Sequence, residues 1–176
     1  MSGNERESGT IFREVQRFHQ WWIYLTVLVV TGFAWYAPLR QLFADAPAGE
    51  KEAPDWAMYL IWLLMGVGFP ALFLSARLVV EVKEDGLHYR YYPFHARFHH
   101  IGVEEIEEVE AVTYHPILEY GGWGIRCGLK GRAYNVSGKR GVQLQLREGK
   151  RVLFGSQRAE ELASAMREAM APSHRP

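Results

Sequence analysis

The chain has 176 residues, with 20 basic and 20 acidic side chains and apolar residues at 48%, which suits one modest domain rather than a multidomain enzyme. Because its net charge is zero, the chain lacks the overall positive field expected of a nucleic-acid-binding protein. The single cysteine, Cys127, excludes an internal disulfide and a cysteine-rich metal site, and with them a secreted disulfide scaffold.

The first predicted element lies in an N-terminal segment, residues 1–19, that we expect to be cytoplasmic. Apolar side chains recur there at steps of three and four residues, at Ile11, Val15 and Phe18. This spacing predicts an amphipathic helix. Such a helix lies either on the membrane surface or against the C-terminal domain, and the sequence leaves both options open.

Two long runs without charged side chains follow, at about 20–39 and 56–76. Each has roughly the 20 residues that cross a bilayer as a helix, and neither has the polar stripe that a helix in water keeps. Tryptophan and tyrosine cluster near the run ends, as they do at membrane interfaces. The sequence therefore predicts a transmembrane helical hairpin over 20–76, with an external loop at 40–55 and the lipid bilayer as its partner.

The distribution of lysine and arginine predicts the orientation. Three basic residues precede the first run and two lie in the loop, whereas the others follow from Arg77 onward. Basic flanks stay in the cytoplasm, so we expect a multi-pass protein of a prokaryotic plasma membrane with both termini cytoplasmic. Neither run contains an ionisable side chain, which argues against a transporter. Gly66 and Gly68 predict close helix packing.

The region 77–176 changes to two-residue alternation, which predicts a mainly β domain. Residues 78–92 predict a hairpin, because two alternating runs flank the Asp85-Gly86 turn. Further strands are predicted to about residue 154. Ser156 and the apolar spacing of Leu162, Met166 and Met170 then predict a helix over about 157–170 that closes the sheet.

The order of these elements and several short motifs carry a resemblance that covers nearly the whole chain. The motifs are Gln16-Arg17-Phe18, Gln20-Trp21-Trp22, residues 119–126, residues 138–142, and Gly155-Ser156-Gln157-Arg158 followed by Glu161-Leu162. The chain resembles an uncharacterised family of prokaryotic two-span membrane proteins with a bacterial pleckstrin-homology-like (PH-like) cytoplasmic domain. The resemblance implies a fold, namely a membrane α-helical hairpin followed by a mainly β, PH-like barrel closed by a C-terminal helix. It implies no activity, substrate or cofactor.

Six residues are candidates for ligand or partner binding. Trp123 and Arg126 lie in and beside the run Gly121-Gly122-Trp123-Gly124, which lacks the lysine and hydroxyl residue of a phosphate-binding loop and is better explained by backbone conformation. The other four, Lys139, Arg140, Lys150 and Arg151, lie at predicted turns. They either contact anionic headgroups, for about 1 kcal/mol per charge, or only keep the turns soluble.

Neither a metal site nor a catalytic residue is expected. Five histidines occur between residues 88 and 115, but strand alternation places His95 and His99 on one face and His100 on the other. No acidic or cysteine ligand is evident in the sequence to complete a tetrahedral zinc site. Nothing near Ser137, Ser156 or Cys127 marks a nucleophile, and no cofactor is expected.

These patterns predict a membrane-anchored, non-enzymatic binding or scaffolding protein. Its β domain would engage a protein partner, a second copy of the chain or the membrane surface. The alternative is an accessory subunit of a membrane-bound enzyme, or the enzyme itself. A concave pocket with convergent polar groups and shifted pKa values would favour that alternative.

Overall fold

The computed structural model describes residues 9–43, 55–128 and 130–171. The chain divides into two units. Met1–Arg17 and Arg77–Pro176 form one unit, here called the sheet unit, and Phe18–Ala76 form the other, the helical unit. The helical unit is thus an insertion between two segments of the sheet unit.

The first sheet of the sheet unit has four antiparallel strands in the order β1-β2-β3-β4. They are β1 (Thr10–Arg17), β2 (Arg77–Lys83), β3 (Gly86–Tyr92) and β4 (His99–Gly102). Strands β2 and β3 form the predicted hairpin, which is confirmed. Leu78, Val80 and Val82 of β2 are fully buried, because β2 is a central strand covered by β1 and β3 at its sides.

Strand β1 occupies the place of the predicted amphipathic helix, and that prediction is wrong. Its side chains alternate between buried positions, including Phe12, Glu14 and Gln16, and exposed positions such as Val15. The two-residue period arises because β1 pairs along its length with β2. The three- and four-residue spacing of its apolar residues did not decide the structure, since the partner strand lies some 60 residues further along the chain.

The second sheet has five strands in the order β5-β8-β9-β7-β6. They are β5 (Ile106–Thr113), β6 (Gly124–Gly128), β7 (Gly131–Asn135), β8 (Arg140–Leu146) and β9 (Arg151–Gly155). Strands β7 and β9 pair in parallel, and the other pairs are antiparallel. A short helix, α4 (Pro116–Tyr120), connects β5 to β6. The three preceding α-helices of the chain belong to the helical unit and are described below.

A C-terminal helix, α5 (Ala159–Met170), packs against strands of both sheets. Its buried face consists of Ala159, Leu162, Ala163, Ala165 and Met166. The predicted PH-like barrel is nevertheless wrong, because the described strands form two separate sheets that do not close on each other. A 3-10 turn (Val103–Glu105) separates β4 from β5, and these two strands are not paired.

Buried polar side chains tie β1 to the start of α5. The two carboxyl oxygens of Glu14 accept hydrogen bonds from the Ser156 hydroxyl at 2.6 Å and the Gln157 N–H at 3.0 Å. Gln16 donates from Nε2 to the carbonyl oxygen of Gly155 at 2.6 Å. Because an unpaired buried polar group is costly, these bonds hold β1 in register with the C-terminal part of the chain.

The helical unit contains α1 (Trp21–Phe43), α2 (Asp55–Ile61), a π-helical segment (Trp62–Gly68) and α3 (Phe69–Ser75). The indole Nε1 of Trp35 donates to the carbonyl oxygen of Gly66 at 3.2 Å. A Cβ at Gly66 would lie 3.2 Å from that Nε1. The expected close approach at Gly66 is therefore present, whereas the predicted loop residues 44–54 lie outside the described residues.

The predicted two-span hairpin is wrong. In the part of the chain that the structure describes, one helix, over Trp21–Arg40, is long and apolar enough to cross a membrane. The second apolar run is divided among α2, the π-helical segment and α3, and its apolar part, Tyr59–Ser75, is shorter than the roughly 20 residues of a span. The prediction took the length of the uncharged run as the length of one membrane-spanning helix, but the apolar helical part of that run is shorter.

Candidate functional site

A cavity of about 790 Å³ lies between the two sheets. Strands β3 and β4 contribute Tyr89 and Ile101, and the second sheet with its turns contributes the other walls, including Tyr134, Leu146 and Val152. Its volume falls in the range of small-molecule binding sites, roughly 300–1,000 Å³. We call it the inter-sheet cavity.

Four cationic side chains line the inter-sheet cavity, namely Lys130, Arg132, Lys150 and Arg151. None of its described lining residues is acidic. Two of the cations have carboxylate partners, since Nζ of Lys130 lies 2.8 Å from Glu119 and Nζ of Lys150 lies 2.5 Å from Glu148.

The two arginines differ from the lysines. Neither Arg132 nor Arg151 forms an ion pair with a described carboxylate, and Arg151 donates from Nε to the side-chain oxygen of Gln145 at 2.9 Å. Both side chains are exposed at the cavity. Because a guanidinium presents several donors in a planar fork, this pair suits an anionic group such as a carboxylate or phosphate.

Aromatic rings form one wall of the cavity. The rings of Tyr89 and Tyr134 lie 4.8 Å apart, and Tyr134 stacks on Phe154 at 5.4 Å. The Tyr89 hydroxyl lies 3.5 Å from that of Tyr134. Burial, together with this contact, raises the pKa of Tyr89. The Tyr89 O–H donates to the Tyr134 hydroxyl, and the O–H of Tyr134, which also lines the cavity, can in turn donate a hydrogen bond to a ligand.

The local sequence of β7 explains how charge and aromatic rings meet here. Arg132 and Tyr134 are two residues apart and share one face of the strand, while Ala133 between them is fully buried on the other. Gly131, with a φ of +108°, allows close approach of β9, because a Cβ there would lie 2.2 Å from the carbonyl oxygen of Arg151.

Of the six residues predicted to bind a ligand or partner, the structure places Lys150 and Arg151 at the inter-sheet cavity. Sequence reasoning missed Lys130, Arg132, Tyr89 and Tyr134. The alternation of Arg132 with Tyr134 was a usable signal for β7, but nothing in the local sequence brings Tyr89 of the other sheet to the same cavity.

The other four predicted residues do not line the inter-sheet cavity. Trp123 donates from its indole Nε1 to the carbonyl oxygen of Gly138 at 3.2 Å, and Arg126 donates from Nε to the carbonyl oxygen of Trp123 at 3.1 Å. The glycines beside Trp123 have positive φ, which confirms the backbone interpretation of that run.

Lys139 and Arg140 lie where β8 begins. The Lys139 carbonyl accepts a hydrogen bond from the Tyr114 N–H at 2.8 Å, and its side chain is exposed. Arg140 forms an ion pair with Glu160 of α5. Both residues therefore have structural contacts within the sheet unit.

Histidines form two groups at strands β3 and β4 of the first sheet, with His95 in the connection between these strands. The rings of His95 and His99 lie 4.3 Å apart, and His99 stacks on Tyr89. His88 and His100 pair across β3 and β4 with their rings 4.4 Å apart. His95 and His99 are thus apart from His100, as predicted, but His95 precedes β4 and does not share its strand.

The expectation that no acidic ligand stands beside these histidines is wrong. Asp85, in the β2–β3 turn, lies 2.9 Å from Nε2 of His88 and 3.6 Å from Nε2 of His100. The hydrogen bond from His88 is the main cause that lowers the pKa of the Asp85 carboxyl. Hairpin geometry explains the proximity, since His88 follows Asp85 by three residues and His100 is the cross-strand partner of His88.

The chain belongs to a family of unknown function, DUF6141, whose model matches residues 4–173. The expected membership of an uncharacterised family is therefore confirmed. Neither the curated proteins nor the solved structures contain a significant match to this chain.

Proposed function

We propose that this member of the family is a membrane-attached binding protein without a catalytic role, whose sheet unit binds an anionic ligand in the inter-sheet cavity. The observation that carries the proposal is the cavity itself, which has four cationic side chains and no acidic one among its described lining residues.

The walls of the cavity define the class of ligand. Arg132 and Arg151 offer donors to an anionic group, and the Tyr134 hydroxyl, which accepts a hydrogen bond from Tyr89, offers another. Ile101, Leu146 and Val152 offer apolar surface. A ligand with an anionic head and an apolar body matches both parts, and this chemistry is shared by a lipid headgroup with its glycerol backbone and by a free organic anion.

The polar groups of the cavity favour binding over catalysis. As general acids and bases, lysine, tyrosine and cysteine side chains are used less often than an imidazole or a carboxyl group. The described residues that line the cavity include neither. Cations and protonated phenols recognise an anion but have no ready means to remove a proton from it.

Attachment to a membrane is supported by the surface of the helical unit. The apolar window in Trp21–Arg40 is only 12% buried, whereas the core helix of a water-soluble protein is mostly buried. Leu28 and Phe33 are 68% and 82% exposed. An apolar surface of this extent matches a lipid environment better than water.

The chain connections support one side of attachment. Arg17, before the insertion, and Arg77, after it, are paired residues of the adjacent strands β1 and β2. The helical unit therefore leaves and rejoins the sheet unit at neighbouring positions, so we infer that it enters the membrane from one face without two complete spans. Arginine at both connections favours the cytoplasmic face.

Alkylation of Cys127 tests the proposed binding site, because it is the only cysteine and lines the cavity. The full chain is reconstituted in lipid nanodiscs, and the rate of reaction with N-ethylmaleimide is measured. One arm compares phosphatidylcholine discs with discs that contain phosphatidylglycerol. The second arm adds glycerol 3-phosphate to phosphatidylcholine discs. We expect alkylation of Cys127 to be slower in at least one arm. Protection by phosphatidylglycerol identifies a lipid headgroup as the ligand, and protection by glycerol 3-phosphate identifies a free anion.

A pair of double variants makes the test specific. Arg132→Gln with Arg151→Gln removes the two guanidinium groups of the cavity that form no ion pair with a described carboxylate, and we expect it to abolish the protection. Lys139→Gln with Arg140→Gln removes the same charge elsewhere on the sheet unit and should keep the protection. No protection in either arm, or equal protection in both double variants, would show that the cavity does not bind the anion.

A further inference from the structure

A cluster of three potential metal ligands lies on the first sheet, separate from the lining of the inter-sheet cavity. It consists of Asp85 in the β2–β3 turn, His88 on β3 and His100 on β4. One ligand atom from each residue lies within 4.8 Å of those of the other two. We propose that Asp85, His88 and His100 bind a divalent transition-metal ion, with Zn²⁺ as the best match.

The backbone holds two of the ligands in fixed relation. His88 and His100 are directly opposite each other in the antiparallel pair β3–β4, so their side chains project from the same face of the sheet. Both rings direct Nε2 towards Asp85, at 2.9 Å from one carboxylate oxygen for His88 and 3.6 Å from the other for His100. Three donor atoms thus converge on one point.

These distances are close to those of a zinc site. Zn²⁺ lies about 2.0–2.2 Å from imidazole nitrogens and carboxylate oxygens, so its tetrahedral ligand atoms are roughly 3.3–3.5 Å apart. Small rotations of exposed side chains bring the three donors to this spacing. Asp85 and His100 have side chains 60% and 42% exposed, which leaves the fourth position open to water.

Gly86 provides the space that the cluster needs. A Cβ at this position would lie 2.1 Å from the carbonyl oxygen of Ile101 and 3.1 Å from Nε2 of His100. Any larger residue would push β4, and His100 with it, away from Asp85. The turn therefore supplies one ligand and also the close approach of the strand that supplies another.

The neighbouring pair His95 and His99 is a natural comparison. Their rings are as close as those of His88 and His100, but they pack against Tyr89, and no described carboxylate completes a three-residue cluster with them. Two imidazoles without a third ligand make a weaker site. Because only the His88–His100 pair has Asp85 beside it, comparing the two pairs tests how much this carboxylate contributes to metal binding.

Calorimetric titration of ZnCl₂ into the full chain tests the proposal, with the protein in detergent, without a polyhistidine tag and stripped of metal by a chelator. We expect one equivalent to bind. Asp85→Asn and His88→Ala should each weaken binding by at least about tenfold, whereas His95→Ala should bind like the unmodified chain. Co²⁺ should give the visible absorption of a tetrahedral site in the unmodified chain and not in His88→Ala.

Far-UV circular dichroism shows that each variant is folded, and Asp85→Asn keeps a residue type that suits a turn. The proposal is overturned if the unmodified chain binds no Zn²⁺. It is equally overturned if Asp85→Asn and His88→Ala both bind as tightly as the unmodified chain, or if His95→Ala weakens binding as much as they do. None of these outcomes depends on the inter-sheet cavity.

Discussion

The sheet unit and the helical unit use the same apolar residue types in opposite ways. In the sheet unit Leu78, Leu144 and Leu153 are at most 1% exposed, whereas Leu28 and Leu63 of the helical unit are 68% and 53% exposed. A protein that folds in water gains free energy by burying such side chains. This contrast in exposure supports the proposed membrane attachment of the helical unit.

Polar side chains show the same contrast. In the sheet unit the buried Glu14 bonds to Ser156, 142 residues away. In the helical unit the Thr26 and Ser75 hydroxyls donate to carbonyl oxygens four and three residues before them in their own helices. Local bonds of this kind satisfy a polar group where no water is present. Glu14 thus joins distant segments of the chain, whereas these two hydroxyls bond within their own helices, as suits an apolar environment.

The largest expected effect comes from separating the units. Replacing Phe18–Ala76 by a short Gly-Ser linker joins Arg17 to Arg77, which are already paired in adjacent strands. We expect this shortened chain to fold in water with β-rich circular dichroism, and the full chain to remain in the membrane fraction after a high-salt wash.

A full chain released by the salt wash would contradict membrane attachment. A shortened chain that is unfolded in water would instead show that the sheet unit depends on the helical unit, and the comparison between the units would then fail.

The same substitution in each unit sharpens the comparison. Leu144→Ala removes a fully buried side chain, and we expect it to lower the free energy of unfolding by about 2–5 kcal/mol. Leu28→Ala, at an exposed position, should change it by less than about 0.5 kcal/mol. Urea unfolding of the full chain in detergent, followed by circular dichroism of the β signal, measures both; equal effects would contradict the assignment of Leu28 to a surface.

Loss of the Glu14 carboxyl has a smaller expected effect. Glu14→Ala leaves the Ser156 hydroxyl and the Gln157 N–H without their partner, so we expect a loss of about 1–3 kcal/mol in the free energy of unfolding. The matched control is Glu161→Ala, which breaks an exposed ion pair with Arg158 at 3.2 Å and should cost less than about 1 kcal/mol. If Glu14→Ala lowers the free energy of unfolding no more than Glu161→Ala does, the buried hydrogen bonds of Glu14 do not stabilise the sheet unit.

Local signals predicted the parts of the fold that depend on neighbours in the chain. The Asp85-Gly86 turn indicated the β2–β3 hairpin, and the spacing of Leu162 and Met166 indicated the buried face of α5. Strand β1 was missed because its partner β2 follows the whole insertion. Barrel closure was wrongly predicted because it depends on which edge strands meet, and local alternation does not contain that information.

The candidate sites likewise combine local features that the sequence indicates with contacts between distant residues that it does not. Lys150 and Arg151 stood out as basic residues at a turn, but their place at the inter-sheet cavity depends on Tyr89, which belongs to the other sheet. The cluster around Asp85 could have been found by writing out the hairpin register, since that register places His88 beside the turn. His100 required the further pairing of β3 with β4.

The position of β1 has a consequence for the order of events during synthesis. The ribosome makes β1 before its partner β2, which emerges only after all of Phe18–Ala76, and Ser156, which bonds to Glu14, emerges later still. Strand β1 must therefore remain without its partner strand while Phe18–Ala76 are synthesised. The polar side chains of β1, namely Arg13, Glu14, Gln16 and Arg17, limit its hydrophobicity in that interval, and the first sheet can be completed only after the insertion has been synthesised.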